Sequence, residues 1–84
     1  MSQKNPVLVS FGNLLRAIRE EVGLSQENLA LKAGLHRNYI GILERGEQNP
    51  SLLVMLKISK ALGVTLADLL AKLPADIISM LEAE

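Results

Sequence analysis

Arg37, Asn38, Gly41 and Ile42 stand at i, i+1, i+4 and i+5 of a stretch with helical spacing, so they share one stripe of a helix. An arginine can grip guanine through two hydrogen bonds, and an asparagine can do the same with adenine. An apolar side chain such as Ile42 can meet a thymine methyl, and Gly41 would let a helix backbone approach a groove closely. Taken alone, the same residues read first as a solvated surface with one stray isoleucine. The surrounding chain decides between these readings.

That surrounding chain is Leu24–Gly46, which reads as a short helix, a tight turn at Ala33-Gly34-Leu35, and a second helix from about His36 to Arg45 closed by Gly46. The apolar pattern buries Leu24, Leu29, Ala30, Ala33, Leu35, Ile40 and Leu43, and leaves Gln26, Arg37, Asn38, Gly41 and Ile42 pointing away from a core. Two helices joined by a short turn containing glycine form the DNA-binding helix-turn-helix. The four residues named first then lie on its outward face.

Candidate phosphate anchors flank that face. Gln26 sits at a helix N-terminus, where backbone amides and the helix dipole favour an anion. Ser25, Arg45, Asn49 and Ser51 lie at helix ends on the same side, with Gln48 beside Asn49 in the connecting loop. Ser25 and Ser51 are also good helix N-caps whether or not an anion is present. Arg19 and Glu44 are placed to form an ion pair between the first and third helices, a structural role.

Enzyme chemistry lacks its parts. His36 is the single histidine and reads as a surface or capping residue near a helix start. There is no cysteine and no acidic pair at ligand spacing, so neither a metal centre nor an activated nucleophile is expected. Glu20 and Glu21 are neighbours on a solvated helix face. No cofactor is expected either.

Length bounds the rest. Eighty-four residues make one small domain, here 49% hydrophobic with Phe11 and Tyr39 as its aromatics, so the core is aliphatic. No apolar run approaches the roughly 18 residues needed to cross a bilayer, and a cytoplasmic location is the default expectation. Net charge is zero, but residues 1–63 carry eight basic against five acidic residues, and residues 64–84 one against four. A basic front with an acidic rear suits oriented docking on phosphate.

The remaining spacing predicts an all-α chain with a core over 6–72. Asn5 and Pro6 open a first helix whose Val7, Leu8, Phe11, Leu14, Leu15, Ile18 and Val22 recur every three or four residues up to Gly23. Gly12 inside it costs near 1 kcal/mol relative to alanine, so its first turns are expected to fray. Ser51 caps a fourth helix over Leu52–Leu62, and Thr65 opens a fifth containing Leu66, Leu69 and Leu70. Pro74 is expected to start a last short helix running to Glu84.

Together, Gly23-Leu24-Ser25-Gln26-Glu27, Leu29-Ala30, Ala33-Gly34-Leu35, Tyr39-Ile40, Leu43-Glu44-Arg45-Gly46, Asn49-Pro50-Ser51 and Ala61-Leu62-Gly63-Val64 form a specific string. Over Phe11–Leu70 the chain resembles the phage-repressor/Cro-like, or XRE-like, helix-turn-helix family. Within it, LHRNYIGILERGEQNPSL looks most like the controller proteins of restriction–modification systems. The resemblance implies a five-helix, lambda-repressor-like domain binding palindromic double-stranded DNA as a homodimer. It implies Gln26 on a phosphate, Tyr39, Arg45 and Asn49 on the backbone, and Arg37, Asn38, Gly41 and Ile42 in the major groove, with His36, Gln48, Ser25 and Ser51 at its margins. Dimer contacts would come from the carboxyl-terminal helices through Leu66, Leu69, Leu70, Leu73, Ile77, Met80 and Leu81. No small-molecule effector is expected.

Leu31 and Ile42 are apolar where many family members are polar, and Asn28 replaces a usual acidic residue. These departures keep a second reading open: a protein-interaction module, or the antitoxin of a toxin–antitoxin pair, built on the same fold.

Overall fold

The computed structural model describes residues 4–81. Five α-helices follow in order: α1 Pro6–Val22, α2 Gln26–Ala33, α3 Tyr39–Glu44, α4 Leu52–Leu62 and α5 Leu66–Ala71. A 3-10 turn, Ile77–Met80, comes last, and the described residues contain no strand. The all-α expectation holds.

The helix ends are set by local chemistry. Asn5, Ser25, Ser51 and Thr65 each accept a hydrogen bond from a backbone N–H in the first turn of the helix they precede. Gly34, at φ +70°, ends α2 in the left-handed conformation and brings the chain round into the turn before α3. Helices of six residues, such as α3 and α5, are far below the roughly 12–15 residues at which an isolated helix becomes marginal. Packing must therefore hold them.

That packing is aliphatic. Leu15, Leu29, Ile40, Leu43, Ile58 and Leu69 are fully buried, each contributing about 2 kcal/mol of transfer free energy. Phe11, Ile18, Ala30, Ala33, Ala61 and Leu62 complete the cluster, with Leu24, Leu35 and Tyr39 half-buried against it. α1 packs on α3 and α4, α2 on α3 and α4, and α5 on α4. The helix-turn-helix pair is thereby clamped from behind, and its outer side is left free.

Several expectations are corrected. The first turns of α1 do not fray at Gly12; the helix runs unbroken from Pro6. The reason is steric. A Cβ on Gly12 would lie 2.5 Å from the carbonyl oxygens of both Leu43 and Glu44, so the missing side chain is what lets α1 close on α3. Val22, expected inward, is 46% exposed because it falls in the last turn of α1, just before the chain leaves at Gly23.

The tail also differs. In place of a helix from Pro74 to Glu84, the described part makes one 3-10 turn, and Leu81 is already extended at φ −79°, ψ 130°. The last three residues, 82–84, lie outside the described part. Leu69, expected at a dimer interface, has no exposed surface in the chain, so it anchors α5 to the core and has no face to offer a second copy. Leu66 and Leu73 also pack against the core and are half-buried.

Candidate nucleic-acid interface

A concavity of about 440 Å³ opens between the N-terminal turn of α2 and the outer side of α3, lined by Gln26, Glu27, Arg37, Asn38, Gly41, Ile42 and Arg45. The four residues expected to share a stripe do meet there, but by a different route. α3 begins at Tyr39, so Arg37 and Asn38 lie in the turn before the helix. His36 explains the delay: its Nδ1 accepts from the Asn38 N–H at 3.2 Å, and its carbonyl accepts from the Tyr39 N–H at 2.9 Å. His36 thus does the capping, and the Asn38 side chain makes no cap hydrogen bond. Its amide is left free to donate and accept outward.

Below the concavity lies an ordered polar chain. The Arg19 guanidinium donates to both carboxylate oxygens of Glu44, Nη2 reaching Oε1 at 3.1 Å, while Nη1 donates to the Leu24 carbonyl at 2.9 Å. The two side chains are only 10% and 4% exposed. Such a pair is satisfied by geometry, which burial demands. Its hydrogen bonds to Glu44, together with that carboxylate's charge, raise the Arg19 pKa further above its ordinary value despite the opposing effect of burial.

Glu44 has a second duty. Its Oε1 also accepts from Gln26 Nε2 at 2.9 Å, so the first residue of α2 is held by the last residue of α3. This link leaves the Gln26 carbonyl oxygen facing Gly41: a Cβ on Gly41 would fall 3.1 Å from Gln26 Oε1 and 3.2 Å from Arg45 Nη1. Gly41, expected to be open to a groove, is in fact buried beneath those two polar ends. It serves by letting them converge. Gly41→Ala is expected to leave the fold standing, because both neighbours are flexible tips, while spreading Gln26 and Arg45 apart. Parallel thermal unfolding and DNA titration check this: affinity should fall by about tenfold, a 1.4 kcal/mol loss, with little change in stability.

Arg45 is not unengaged. Its Nε donates to Glu47 Oε2 at 3.1 Å, and Lys4 approaches the same oxygen at 3.9 Å. The hydrogen bond from Arg45 holds the exposed Glu47 carboxyl below its usual range. Sequence reasoning overlooked both acidic neighbours of the site, Glu27 and Glu47. Each stands one or two positions from a residue it singled out, and that proximity was the available signal.

The other candidates are dispersed. Ser25 and Ser51 accept from Asn28 N–H and Val54 N–H, at 3.0 and 3.1 Å, and are engaged as caps. Tyr39 is half-buried against the core. Gln48 is exposed in the loop, and Asn49 borders a separate apolar groove with Val7, Leu8, Met55 and Leu70. None of these lines the concavity. Among the described residues no group of histidine, cysteine, aspartate or glutamate is placed to hold a metal ion.

Comparison with known proteins decides the class. The helix-turn-helix family model matches residues 15–69. The chain belongs to the helix-turn-helix family. Its class is that of the XRE-like DNA-binding transcriptional regulators, which are not enzymes. It is 49% identical over 67 residues to the control protein C.BamHI of Bacillus amyloliquefaciens, covering 79% of this chain and 83% of that protein. Control protein C.MunI of a Mycoplasma species is 42% identical over 66 residues, 77% of this chain and 89% of its own length. Among solved structures, the restriction–modification controller protein C.AhdI of Aeromonas hydrophila superposes with a TM-score of 0.72 at 48% identity, covering 74% and 94% of the two chains. The biofilm regulator SinR, solved in complex with DNA, gives 0.67 at 38% identity over 71% and 97%. No helix among the described residues is long and apolar enough to cross a membrane.

Proposed function

We propose that this protein is a sequence-specific regulator that binds a palindromic operator as a homodimer, in the manner of a restriction–modification controller. The observation that carries the reading is the convergence of Arg37, Asn38, Gly41 and Ile42 with the N-terminus of α2 in one exposed concavity. Arg37 and Asn38 project from the mouth of α3 with side chains that can pair with base edges, and Ile42 supplies the apolar contact. Gln26, fixed by Glu44 at the start of α2, meets a phosphate on the groove's edge. Arg45 leaves Glu47 for the backbone as the duplex arrives.

Exposed apolar side chains support self-association. Leu52 and Leu53 are each 62% exposed on α4 and Leu56 is 46%, with Leu70, Ile78 and Leu81 exposed toward the carboxyl end. The dimer surface therefore includes the outer side of α4 as well as the half-buried Leu66, Leu73, Ile77 and Met80. A two-fold dimer sets its half-sites about 34–36 Å apart.

Titration of labelled DNA from the protein's own promoter against random duplex at physiological salt is the test. Tighter binding to the promoter by at least about a thousandfold is expected; equal affinities would exclude sequence-specific recognition. The same assay separates readers from anchors. Arg37→Ala should cost about 1–3 kcal/mol and relax preference at one base position. Arg45→Ala should weaken every sequence alike and reduce the salt slope by about 1. Sedimentation at micromolar concentration examines the dimer, and a persistent monomer would rule it out.

A further inference from the structure

The molecule carries a second concavity, also about 440 Å³, where the carboxyl-terminal end of α2 meets the carboxyl-terminal half of α4. Ala33 and Ala61 are its buried apolar residues, and the exposed Leu31, Lys32, Lys57 and Lys60 line it with Gly34. It shares no residue with the concavity at Gln26 and Arg37. The two lie toward opposite ends of α2, separated by about 10 Å of helix rise.

Two features set this place apart. Leu31 is 80% exposed, the highest value among the large exposed apolar residues, and it lines the cup. All three lysines are exposed, and none enters an ion pair among the described residues. The sequence gives the reason. No aspartate or glutamate occurs between Glu27 and Glu44, or between Glu47 and Asp68, so the facing stretches of α2 and α4 contribute only positive charge.

We propose that this cup is a docking site for an acidic peptide segment of a partner protein, one that sets carboxylates against the lysines and an apolar side chain against Leu31 and the two alanines. Nucleic-acid phosphate would satisfy the lysines but leave Leu31 in water; an acidic segment with an apolar residue uses both. Because the cup stands apart from the concavity at α3, such a partner can be held while that side is occupied. The inference does not depend on the reading of the operator.

The probe is a short fluorescein-labelled peptide of alternating glutamate and leucine pairs, compared with its glutamine counterpart by anisotropy and by amide chemical-shift mapping on the full chain. The glutamate peptide should shift the amides of Leu31, Lys32, Lys57 and Lys60 and bind more tightly than the glutamine one. The triple variant Lys32→Gln, Lys57→Gln, Lys60→Gln should weaken peptide binding by about tenfold at low salt, since three exposed charge contacts are removed. Leu31→Ala should weaken it as well. Thermal unfolding and sedimentation should be unchanged in both variants, and affinity for random duplex DNA should be unchanged in Leu31→Ala, which alters no charge. Equal binding of the glutamine peptide, or shifts gathered at Arg37 and Arg45, would overturn the proposal. So would shifts of the Leu31, Lys32, Lys57 and Lys60 amides on adding random duplex DNA, which would make the cup a phosphate site, or a change in the triple variant's sedimentation, which would make it a contact between copies of the chain.

Discussion

Gly12→Ala should destabilise the protein by about 3 kcal/mol, although alanine is the better helix former by about 1 kcal/mol. Helix propensity and tertiary contact here predict opposite signs. The added Cβ would sit 2.5 Å from two carbonyl oxygens of α3, and those oxygens belong to backbone that cannot rotate away. Either α1 must move off α3 or the end of α3 must distort, and Leu15, Ile40 and Leu43 lose contacts in both cases. Urea denaturation at an unchanged m-value measures the loss. A stabilised variant would show that α1 and α3 do not approach this closely. The effect would also reach the proposed site, because one of the two carbonyls belongs to Glu44, which holds Gln26.

The second large effect concerns Glu44 itself. Glu44→Ala should cost about 3–5 kcal/mol, because it leaves the buried Arg19 guanidinium without its carboxylate. Both side chains are almost wholly shielded from water, so solvent screening takes little from that figure. Replacing the pair together, Arg19→Met with Glu44→Leu, should restore most of the stability, since no buried charge then remains unmatched. DNA affinity should not return with it. The double variant still lacks the oxygen that accepts from Gln26, so the first turn of α2 loses its tether. Thermal unfolding and DNA titration of the single and double variants form the check. Recovery of both properties together would assign the Arg19–Glu44 pair to stability alone; recovery of stability alone would give it a positioning role.

How far the sequence could be read depended on the range of the interaction. Caps at Asn5, Ser25, Ser51 and Thr65, and the left-handed Gly34, act over one to four residues, and each fell where its residue type indicated. The fully buried leucines and isoleucines of α1 to α3 were also visible, because a 3.6-residue period is written along the chain. Arg37, Asn38, Gly41 and Ile42 could be grouped from spacing, yet the reason for their grouping was misjudged. His36 takes the capping role expected of it, but α3 then begins at Tyr39, three residues later than its spacing indicated.

Gly12 and Gly41 mark the limit from the other side. Both read as helix defects or as open approaches to a ligand, but both are small because something from another element lies against them. For Gly12 it is the α3 backbone, and for Gly41 the tips of Gln26 and Arg45. The tail failed for a related reason. Pro74–Leu81 carries an apolar pattern compatible with a helix, but its docking on α1 is made by one 3-10 turn, and a short segment takes the shape its contacts hold.

By itself, then, the sequence determined an all-α chain and the order and limits of most of its helices, and it offered a candidate set of side chains for meeting a base or a phosphate. These depend on contacts along the chain, where residue type and spacing are sufficient. Only the tertiary structure decided that Glu44, whose pairing with Arg19 was expected, also binds Gln26, that Leu69 is spent on the core, and that three lysines with no acidic neighbour surround one exposed leucine. Those facts join residues many positions apart, and such distances close only when the helices pack.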